Sequence, residues 1–457
     1  MKDSRANIAF RCLSSAKTAP PLIQLESLYF GIYISYASTW TKLKRRRYKS
    51  RNKKFQGPWI TDELGIDRGD RIRLQLGDPH ETGETSAIYE GISVAVAGGV
   101  PGETVDVEIT RRYPDSLAAT VIEIDNPSSD RTEPLCPYYL ACSGCQWQHV
   151  TYERQLELKW ERVERAIREY SEFADVNILP TLPSPDQFGY RNHARFTVRK
   201  SGEIGYVNRH TRQWLRVDKC LLMADQINSA LGKMQDHVRG MSQMSIRVGV
   251  NTGDMLIQPK LPNPAIDLES GGRDYTEALN GRSYRVAGSS FFQVNTAQAE
   301  NLAEILADRL QLRDDETLID AYTGVGTFAI MLAPYVRRVI VIEESNSAVE
   351  DAKHNAQDIP NIEFIKARTE DAIPKLSGEV DVLILDPPRR GCHPEAIEAT
   401  KQLLPGKIAM VSCDPQTMAR DLASLCADSP FILEEVQPVD LFPQTHHVEC
   451  IAILKKP

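Results

Sequence analysis

Residues 317–327 read TLIDAYTGVGT and decide the fold that the sequence predicts. Thr317–Ala321 is an apolar candidate strand, Gly324 and Gly326 mark the turn after it, and residues 327–333 have the pattern of a helix. Glycines at a strand-to-helix turn let the backbone approach a ligand closely. The stretch therefore predicts the nucleotide-binding end of an open α/β sheet.

Further candidate strands follow along the chain at 339–342, 362–365, Val382–Leu385 and 408–411, with helical stretches mostly between them. Alternating strands and helices predict a mostly parallel, doubly wound sheet. Ligands bind such sheets at the carboxyl ends of the strands. We assign residues 281–457 to this α/β domain.

Two acidic residues stand where that edge would lie. Glu343 ends the second strand, where a carboxylate can bind ribose hydroxyls. Asp386 opens the loop Asp386-Pro387-Pro388-Arg389, and its prolines fix φ and remove N–H donors, so the loop can hold a planar base rigidly. The glycine turn alone also fits a nicotinamide oxidoreductase, which the missing second nucleotide-binding half disfavours, or a tight turn without a ligand.

A thiol and a carboxylate in the same stretch of chain suggest covalent chemistry on an electrophilic ring. Ser412-Cys413-Asp414-Pro415 closes the strand 408–411 and opens a helix over 414–425. A helix N-terminus lowers a thiol pKa, so Cys413 is the candidate nucleophile. Glu449 precedes the apolar stretch 451–454 and is the candidate base for a later proton removal.

Other side chains compete for both roles. Cys392 follows the proline loop and is the main rival nucleophile, whereas we interpret Cys426 and Cys450 as small buried residues. His446 and His447 are rival bases. Because neighbouring residues on a strand face opposite ways, at most one of them is expected to reach the site.

Three clustered cysteines indicate a metal site. Cys136, Cys142 and Cys145 lie in a loop with prolines and a glycine, and Cys220 is the candidate fourth ligand. All-thiolate ligation fits either tetrahedral zinc or an iron–sulfur cluster, and the spacing barely separates them. Unliganded buried thiols are the remaining interpretation.

The first half of the chain predicts two smaller β-rich parts. Residues 61–127 hold short alternating strands punctuated by glycines, which indicate a small β-barrel, a fold that commonly binds oligonucleotides. Residues 128–280 contain the clustered cysteines and a hairpin formed by 195–199 with Ile204–Val207. A charged amphipathic helix at 151–172 is expected to pack on the catalytic domain.

Charge and composition indicate which partners and which cellular location to expect. The net charge is −8, yet nine lysines and arginines lie between residues 42 and 54, so we interpret 1–60 as a basic extension that contacts RNA phosphates. No apolar run reaches the roughly 18 residues of a membrane span. Nine cysteines without a secretory signal predict a protein without a disulfide scaffold. We expect the protein to be cytoplasmic and monomeric. Residues 1–20 are also compatible with organellar targeting.

Five motifs resemble those of the RNA uracil-5-methyltransferase family, both in their residues and in their order along the chain. They are the glycine turn, Phe291-Phe292-Gln293-Val294-Asn295, the proline loop, Ser412-Cys413-Asp414-Pro415 and the segment from Phe442 to Glu449. The likeness extends from residue 65 to the C-terminus. It implies a Rossmann-like methyltransferase domain, a TRAM/OB-like barrel and S-adenosylmethionine as methyl donor.

The resemblance also implies roles for individual residues. Cys413 would add to uracil C6 and Glu449 would remove the C5 proton. The expected contacts to S-adenosylmethionine are Gln293, Tyr322, Thr327, Glu343 and Asp386. Thr327, and Arg368 at the expected adenine pocket, depart from the family pattern. The family's ribosomal-RNA members hold a 4Fe-4S cluster, here expected at Cys136, Cys142, Cys145 and Cys220.

RNA is the expected partner, with 23S ribosomal RNA favoured over transfer RNA by the same resemblance. A uracil in folded RNA must be extruded before C6 is accessible. Candidate side chains to hold it are Tyr190, Arg191, Asn192, His193, Arg195, Phe291 and Phe292. The alternative of a different class is a nonenzymatic iron–sulfur RNA-binding protein on a methyltransferase scaffold, which the presence of both Cys413 and Glu449 disfavours.

Overall fold

The computed structural model of the protein describes residues 60–62 and 64–456. The basic run at 42–54 and the segment 1–20 lie outside the described residues, so what the sequence predicts for them stays a prediction. Within the described part of the chain, no helix combines the length and the apolar character that a membrane crossing requires.

The first described region is a five-stranded sheet with strand order β1-β4-β5-β3-β2. Its strands are β1 (Arg71–Gln75), β2 (Thr85–Tyr89), β3 (Ile92–Ala97), β4 (Thr104–Arg112) and β5 (Ser116–Ile124). Alternate side chains of β3 and β4 are buried in one apolar cluster. Beyond β1, Gly77 N–H donates to Ser86 O on β2 (2.8 Å), which draws the two outer strands together as in a small barrel.

A second, antiparallel sheet forms the middle of the molecule, in the order β11-β10-β7-β8-β9. Its elements are β7 (His193–Val198), β8 (Ile204–Val207), β9 (Trp214–Arg216), α2 (Asp225–Met234), β10 (Gln243–Val248) and β11 (Met255–Gln258). The predicted hairpin is present as the antiparallel pair β7–β8. Helix α2 covers one face, where Ile227 and Leu231 pack with Phe196 and Ile246, and leaves the other face polar.

The catalytic sheet has eight strands in the order β16-β15-β14-β17-β18-β20-β19-β6. They are β6 (Asn177–Ile178), β14 (Thr317–Ala321), β15 (Arg338–Glu343), β16 (Ile362–Lys366), β17 (Val382–Leu385), β18 (Lys407–Ser412), β19 (Ile432–Val439) and β20 (Glu449–Lys455). The helices around it are α1 (Tyr152–Arg168), α3 (Thr296–Leu310), α4 (Thr327–Leu332), α5 (Asn346–Asn355), α6 (Thr369–Ala372), α7 (Pro394–Leu403) and α8 (Pro415–Cys426). A two-stranded ribbon, β12 (Asp274–Leu279) with β13 (Arg282–Ala287), precedes α3.

The sheet is mixed but mostly parallel, as predicted: five of its seven strand pairs are parallel, and the two antiparallel pairs both involve β20. β14 to β18 are parallel, whereas β20 runs antiparallel to both β18 and β19. A parallel connection needs a crossover of about a dozen residues or more. The link 440–448 between β19 and β20 is shorter than that, so the chain turns back instead.

The predicted boundary at residue 280 lies in the turn between β12 and β13. Tyr275 and Tyr284 from these two strands pack with Leu302 of α3 in the catalytic core. Helix α1 also packs on the catalytic domain, with Val163 against Met418 of α8. Segments on the N-terminal side of the predicted boundary therefore complete the catalytic core.

The topology places a crevice at the carboxyl ends of β14 and β17. The chain leaves β14 on one side toward β15 and returns to its other side at β17. Ligands bind open α/β sheets at such a switch point. The predicted site residues follow these strands and those beside them.

Candidate active site

A cavity of about 1440 Å³ opens at this switch point, and we call it the reaction cavity. Its lining includes four of the five side chains predicted to contact the methyl donor, Gln293, Tyr322, Glu343 and Asp386. Thr327 is buried at the start of α4 and is not part of this lining. Arg368 lies at the cavity edge, exposed and 3.0 Å from Asp371.

The backbone of the glycine turn has unusual dihedral angles, and two acidic side chains, buried Asp320 and half-buried Glu343, accept hydrogen bonds from it. Tyr322, Gly324 and Gly326 all have positive φ (66°, 59° and 89°), which for Tyr322 is a conformation that persists only when its surroundings enforce it. Gly324 N–H donates to Glu343 Oε2 (3.0 Å), and Ala329 N–H donates to buried Asp320 (3.0 Å). Burial raises the pKa of Asp320 to about 7. The turn is therefore preformed around the cavity.

The rival nucleophile Cys392 makes structural contacts at the wall of this cavity. It is buried, its N–H donates to Asp421 Oδ2 (2.7 Å), and its thiol adds to the burial that raises the pKa of the nearby Tyr322 hydroxyl. Burial, together with the charge of Asp421, raises the Cys392 pKa. These contacts assign Cys392 to support of the glycine turn.

The proline loop is fastened at both ends. Asp386 N–H donates to Ala321 O (3.3 Å), and the Thr417 hydroxyl of α8 donates to Arg389 O (3.1 Å). Burial and the neighbouring charge of Asp320 raise the pKa of Asp386 to about 7. The loop holds Asp386 inside the cavity and presents Arg389 at its wall.

Cys413 and Glu449 lie side by side at the end of the antiparallel pair β18–β20. The last registered pair is Ser412 with Cys450, so the next residues, Cys413 and Glu449, face each other. Directly opposite residues have Cβ atoms about 4.5–5.5 Å apart. Both line the reaction cavity, and Glu449 is buried. Sequence patterns placed the two on one sheet edge, and the antiparallel return of β20 makes them neighbours.

The predicted low pKa of Cys413 is wrong for the free protein. Burial, followed by the negative charge of Glu449, raises the Cys413 pKa to about 12, against the lowering effect of Arg389. Burial also raises the pKa of Glu449 well above its usual range, with a further contribution from Asp386. The local effect of a helix N-terminus is outweighed by desolvation, so the Cys413 thiol is protonated at neutral pH, and burial favours the protonated form of Glu449.

The two histidines lie in the loop before β20, not on a strand, and their rings pack at a centroid distance of 4.0 Å. Burial lowers the pKa of His446 to about 2 and that of His447 to about 3. His446 Nδ1 lies 3.1 Å from the Gln146 side chain, and His447 lies 3.4 Å from Arg389. Such weak bases are poor candidates for proton removal.

The four predicted metal-binding thiols line one further cavity of about 400 Å³, which we call the cysteine cavity. They are Cys136, Cys142, Cys145 and Cys220. Burial raises the pKa of Cys142 to about 11, and the nearby Cys220 and Cys136 add to this shift. In residues 60–62 and 64–456, no three Cys, His, Asp or Glu side chains converge as ligands of one metal ion.

Sequence reasoning missed a buried polar network beneath the loop that leads to Glu449. Lys159 of α1 forms an ion pair with Asp440, and both side chains are fully buried. One turn earlier, buried Gln155 bonds to Gln444. The available signal was two polar residues, Gln155 and Lys159, on the apolar face of α1, but their partners are more than 250 residues away and no local pattern points to them.

Comparisons with known proteins agree with this geometry. The family model described as tRNA (uracil-5-)-methyltransferase matches residues 273–457. A protein of Thermosynechococcus vestitus named an uncharacterized RNA methyltransferase is 34% identical over 441 residues, covering 85% of this chain and 98% of its own. A Synechocystis protein of the same description is 33% identical over 445 residues, covering 85% and 96%.

Among solved structures, the Pyrococcus abyssi tRNA (uracil-54, C5)-methyltransferase in complex with S-adenosyl-L-homocysteine is similar, with a TM-score of 0.65 and 25% identity. The match covers 84% of this chain and all of that one. Together with the relatives, it extends from the catalytic sheet through most of the chain. The chain is therefore an enzyme that belongs to the RNA uracil-5-methyltransferase family.

Proposed function

We propose that the protein transfers a methyl group from S-adenosylmethionine to C5 of a uracil in RNA, with Cys413 as nucleophile and Glu449 as base. The observation that carries the proposal is the juxtaposition of these two side chains in one cavity with Asp386 and the glycine turn. A thiol and a carboxyl group at one end of a strand pair supply the nucleophile and the base that substitution at C5 requires.

S-adenosylmethionine supplies the methyl group as an electrophile on a sulfonium. The cavity fits that cation, because Glu343 and Asp386 line it. Tyr322 and Gln293 line the same cavity beside them, and Gly324 lets the backbone approach closely. Asp386, with its pKa near 7, ionises readily when a positive charge is bound beside it.

The reaction follows from the positions of the two groups. The Cys413 thiolate adds to C6, forming the S–C6 bond and moving the ring electrons toward C5 and the O4 enolate. C5 then takes the methyl group. Glu449, as carboxylate, removes the C5 proton, the electron pair re-forms the C5–C6 double bond, and the S–C6 bond breaks to return the thiolate. As C5 takes the methyl group, the S–CH3 bond of the sulfonium breaks and leaves the neutral thioether S-adenosylhomocysteine. The proton that the Cys413 thiol gives up and the proton that Glu449 removes from C5 both pass to solvent.

The Cys413 thiol starts protonated and burial favours the protonated form of Glu449, so ligand binding must favour the charged forms of both groups. Arg389 is the cation that favours the charged forms of Cys413 and of Glu449. Binding of a sulfonium cation nearby favours the same charged forms. The cavity therefore keeps the thiol unreactive until it is filled.

A group of arginines on the polar face of the central sheet supports the proposal that an RNA strand binds next to the site. His193 of β7 faces Arg247 of β10, and Arg195 lies on the same face. Burial is the largest cause that lowers the pKa of His193, to about 4, and the positive charges of Arg247, Arg191 and Arg195 add to it. In the described part of the chain these three arginines form no ion pair. An unneutralised group of this kind suits phosphates, and Phe291, 68% exposed, is available for base stacking.

We propose that the cysteine cavity holds a 4Fe-4S cluster bound by Cys136, Cys142, Cys145 and Cys220. Support comes from the four thiols that line one cavity of about 400 Å³, because all-thiolate ligation suits such a cluster. Such a cluster would link the loop 136–145 to Cys220 near the central sheet. The methyl transfer above requires no electron, so the assigned role is structural.

We further propose that 23S ribosomal RNA is the substrate and that the TRAM/OB-like barrel binds it. Support comes from the four-thiol cavity and the five-stranded barrel sheet, features that the resemblance links to ribosomal-RNA enzymes. Transfer RNA is the second candidate, because the solved relative that covers 84% of this chain is named a transfer-RNA enzyme.

Mass mapping of 5-methyluridine tests the proposal. Ribosomal and transfer RNA from a strain lacking the protein are compared with the same RNAs after incubation with the purified protein and S-adenosylmethionine. We expect one ribosomal uridine to lose the methyl group in the deletion strain and regain it in vitro. A change confined to transfer RNA would support the second candidate, and no change in either would refute the function.

A further inference from the structure

Two loops meet at the buried side chain of Gln155. The base loop, residues 440–448, links β19 to β20 and leads directly into Glu449. The cysteine loop, residues 136–150, carries Cys136, Cys142 and Cys145. Gln155 lies on α1, immediately after the cysteine loop, and is 1% exposed.

Gln155 makes hydrogen bonds to both loops. Its amide nitrogen donates to Trp147 O (3.0 Å) and Val150 O (2.9 Å) in the cysteine loop, and to Gln444 Oε1 (3.1 Å) in the base loop. Its amide oxygen accepts from Gln444 N–H (3.0 Å). The two amide hydrogens are shared among these three acceptors, and one side chain thus joins the two segments.

Direct backbone bonds continue the junction. Gln146 N–H and Trp147 N–H both donate to Gln444 O (3.2 and 3.1 Å), and Gln146 directly follows Cys145. A turn along α1, Lys159 holds the start of the base loop through Asp440 and through Phe442 O (3.1 Å). The base loop therefore has the cysteine loop and α1 as its support.

The two cavities adjoin at this junction. Phe442 of the base loop lines both the reaction cavity and the cysteine cavity, and Thr445 and His447 also line the cysteine cavity. A displacement of the cysteine loop should move Gln444, because two backbone hydrogen bonds, from Gln146 and Trp147, link Gln444 directly to that loop. Gln444 and Glu449 belong to one short, buried connection.

We propose that Gln155 is a positioning residue that couples the cysteine loop to the base loop and thereby sets the position of Glu449 for removal of the C5 proton. The inference rests on the proposed function for its chemical readout, but the coupling of the loops is independent of it. Misplacing a catalytic group by about 1 Å costs up to about 100-fold in rate. Loss of the coupling should therefore slow proton removal while leaving thiol addition intact.

Gln235 offers a matched control. It is a buried glutamine of similar bonding that bridges Ile204 (Ile204 N–H to Oε1, 2.6 Å) and Val217 O (3.1 Å) in the central sheet. It touches neither loop. Gln155→Met and Gln235→Met remove equivalent hydrogen bonds and keep side-chain volume, so a difference between them reports on position and not on general stability.

Amide hydrogen exchange of the free protein tests the coupling without RNA or methyl donor. The Gln444 amide, which donates to Gln155, should exchange roughly 10-fold or more faster in Gln155→Met than in wild type, and at the wild-type rate in Gln235→Met. Cys145→Ser should also speed exchange in the base loop. Unchanged exchange of Gln444 in Gln155→Met would overturn the coupling.

The covalent protein–RNA adduct tests the effect on Glu449. With RNA and S-adenosylmethionine, the steady-state fraction of Gln155→Met protein in the adduct should rise roughly 10-fold, while the rate of adduct formation stays within about twofold of wild type. Equal slowing of both steps, or the same rise in Gln235→Met, would overturn the positioning role. If Gln155→Met fails to fold, Gln444→Met removes one of the bonds and should shift both readouts in the same direction, and unshifted readouts would overturn the inference.

These outcomes separate the inference from the proposed function. If wild-type protein forms neither adduct nor 5-methyluridine, the proposed function fails, and the exchange experiment alone still decides the coupling of the loops. If wild-type protein methylates RNA and both Gln155→Met readouts match the control, the function stands and the inference fails.

Discussion

The reaction cavity and the cysteine cavity share Phe442, yet they are built in different ways. The reaction cavity takes its side chains mainly from the ends of neighbouring strands in one sheet, such as Asp386 after β17 and Cys413 after β18. The cysteine cavity is assembled from a loop of irregular structure and from Cys220, which lies in the central domain. A sheet edge holds reactive groups by itself, whereas the second cavity needs something bound to its thiols, or bonds such as those of Gln155, to hold its parts together.

The contrast predicts that chemistry depends on one thiol of the reaction cavity. Cys413→Ala should lower methylation by about 10⁴-fold or more, because no covalent addition to C6 can occur, while RNA affinity stays unchanged. Methyl transfer to RNA and gel-shift titration measure the two effects. Cys392→Ala, in the same cavity, should still form the covalent adduct. Turnover by Cys413→Ala, or loss of the adduct in Cys392→Ala, would contradict the assignment.

The buried setting of Cys413 predicts a steep pH dependence. Its pKa is raised to about 12 by burial and by Glu449, so the thiolate is a small fraction below that pH and grows with pH. The apparent second-order rate of adduct formation at subsaturating RNA should therefore rise about 10-fold per pH unit between about pH 6.5 and 8.5. Denaturing gels of reactions quenched at successive times measure this rate. A rate that is flat over this range would show that the thiolate is already formed in the free protein.

Cys145→Ser tests the second cavity. We expect protein purified without oxygen to show visible absorption that Cys145→Ser loses, and methylation to fall about tenfold because the base loop is less well held. Cys426→Ser, outside the cavity, should keep both the absorption and the activity. A colourless wild-type protein that contains zinc would contradict the cluster and make the cavity a site for a single ion.

The smallest effects should come from the arginines on the polar face of the central sheet. Arg195→Gln should lower the slope of log affinity against log salt concentration by about 0.7 to 1, because one phosphate contact is lost. Arg216→Gln is the matched control, since Arg216 is already paired with Asp236 at 2.7 Å. Salt titrations of RNA binding measure both. Equal slopes for wild type and Arg195→Gln would place the RNA elsewhere.

The two cavities also differ in how far the sequence could predict them. Strands such as Thr317–Ala321 and Val382–Leu385 were predicted to the residue, because they are wholly buried apolar runs ended by Tyr322 at the glycine turn and by Asp386. The side chains that follow these strands were therefore predicted at the correct edge of the catalytic sheet, the carboxyl ends of its strands. Cys220 was predicted to join the other thiols only because three thiolates need a fourth ligand, since no local pattern brings it to the loop.

What the sequence could not predict depends on neighbours distant along the chain. The helix after Cys413 is a local signal and suggested a low thiol pKa, but the burial and the charge of Glu449 that raise it come from β20. The antiparallel direction of β20 was missed for the same reason. The ion pair of Lys159 with Asp440 joins residues 281 positions apart, beyond any motif spacing.

The central claim is that Cys413 bonds to C6 of a uracil and that Glu449 completes the reaction. Its most direct test is the adduct of Glu449→Gln with RNA and S-adenosylmethionine, digested and analysed by mass spectrometry. The account predicts that proton removal is blocked, that the adduct accumulates, and that a peptide holding Cys413 carries one methylated uridine. A uridine attached to another cysteine, or release of 5-methyluridine at the wild-type rate without adduct, would contradict it.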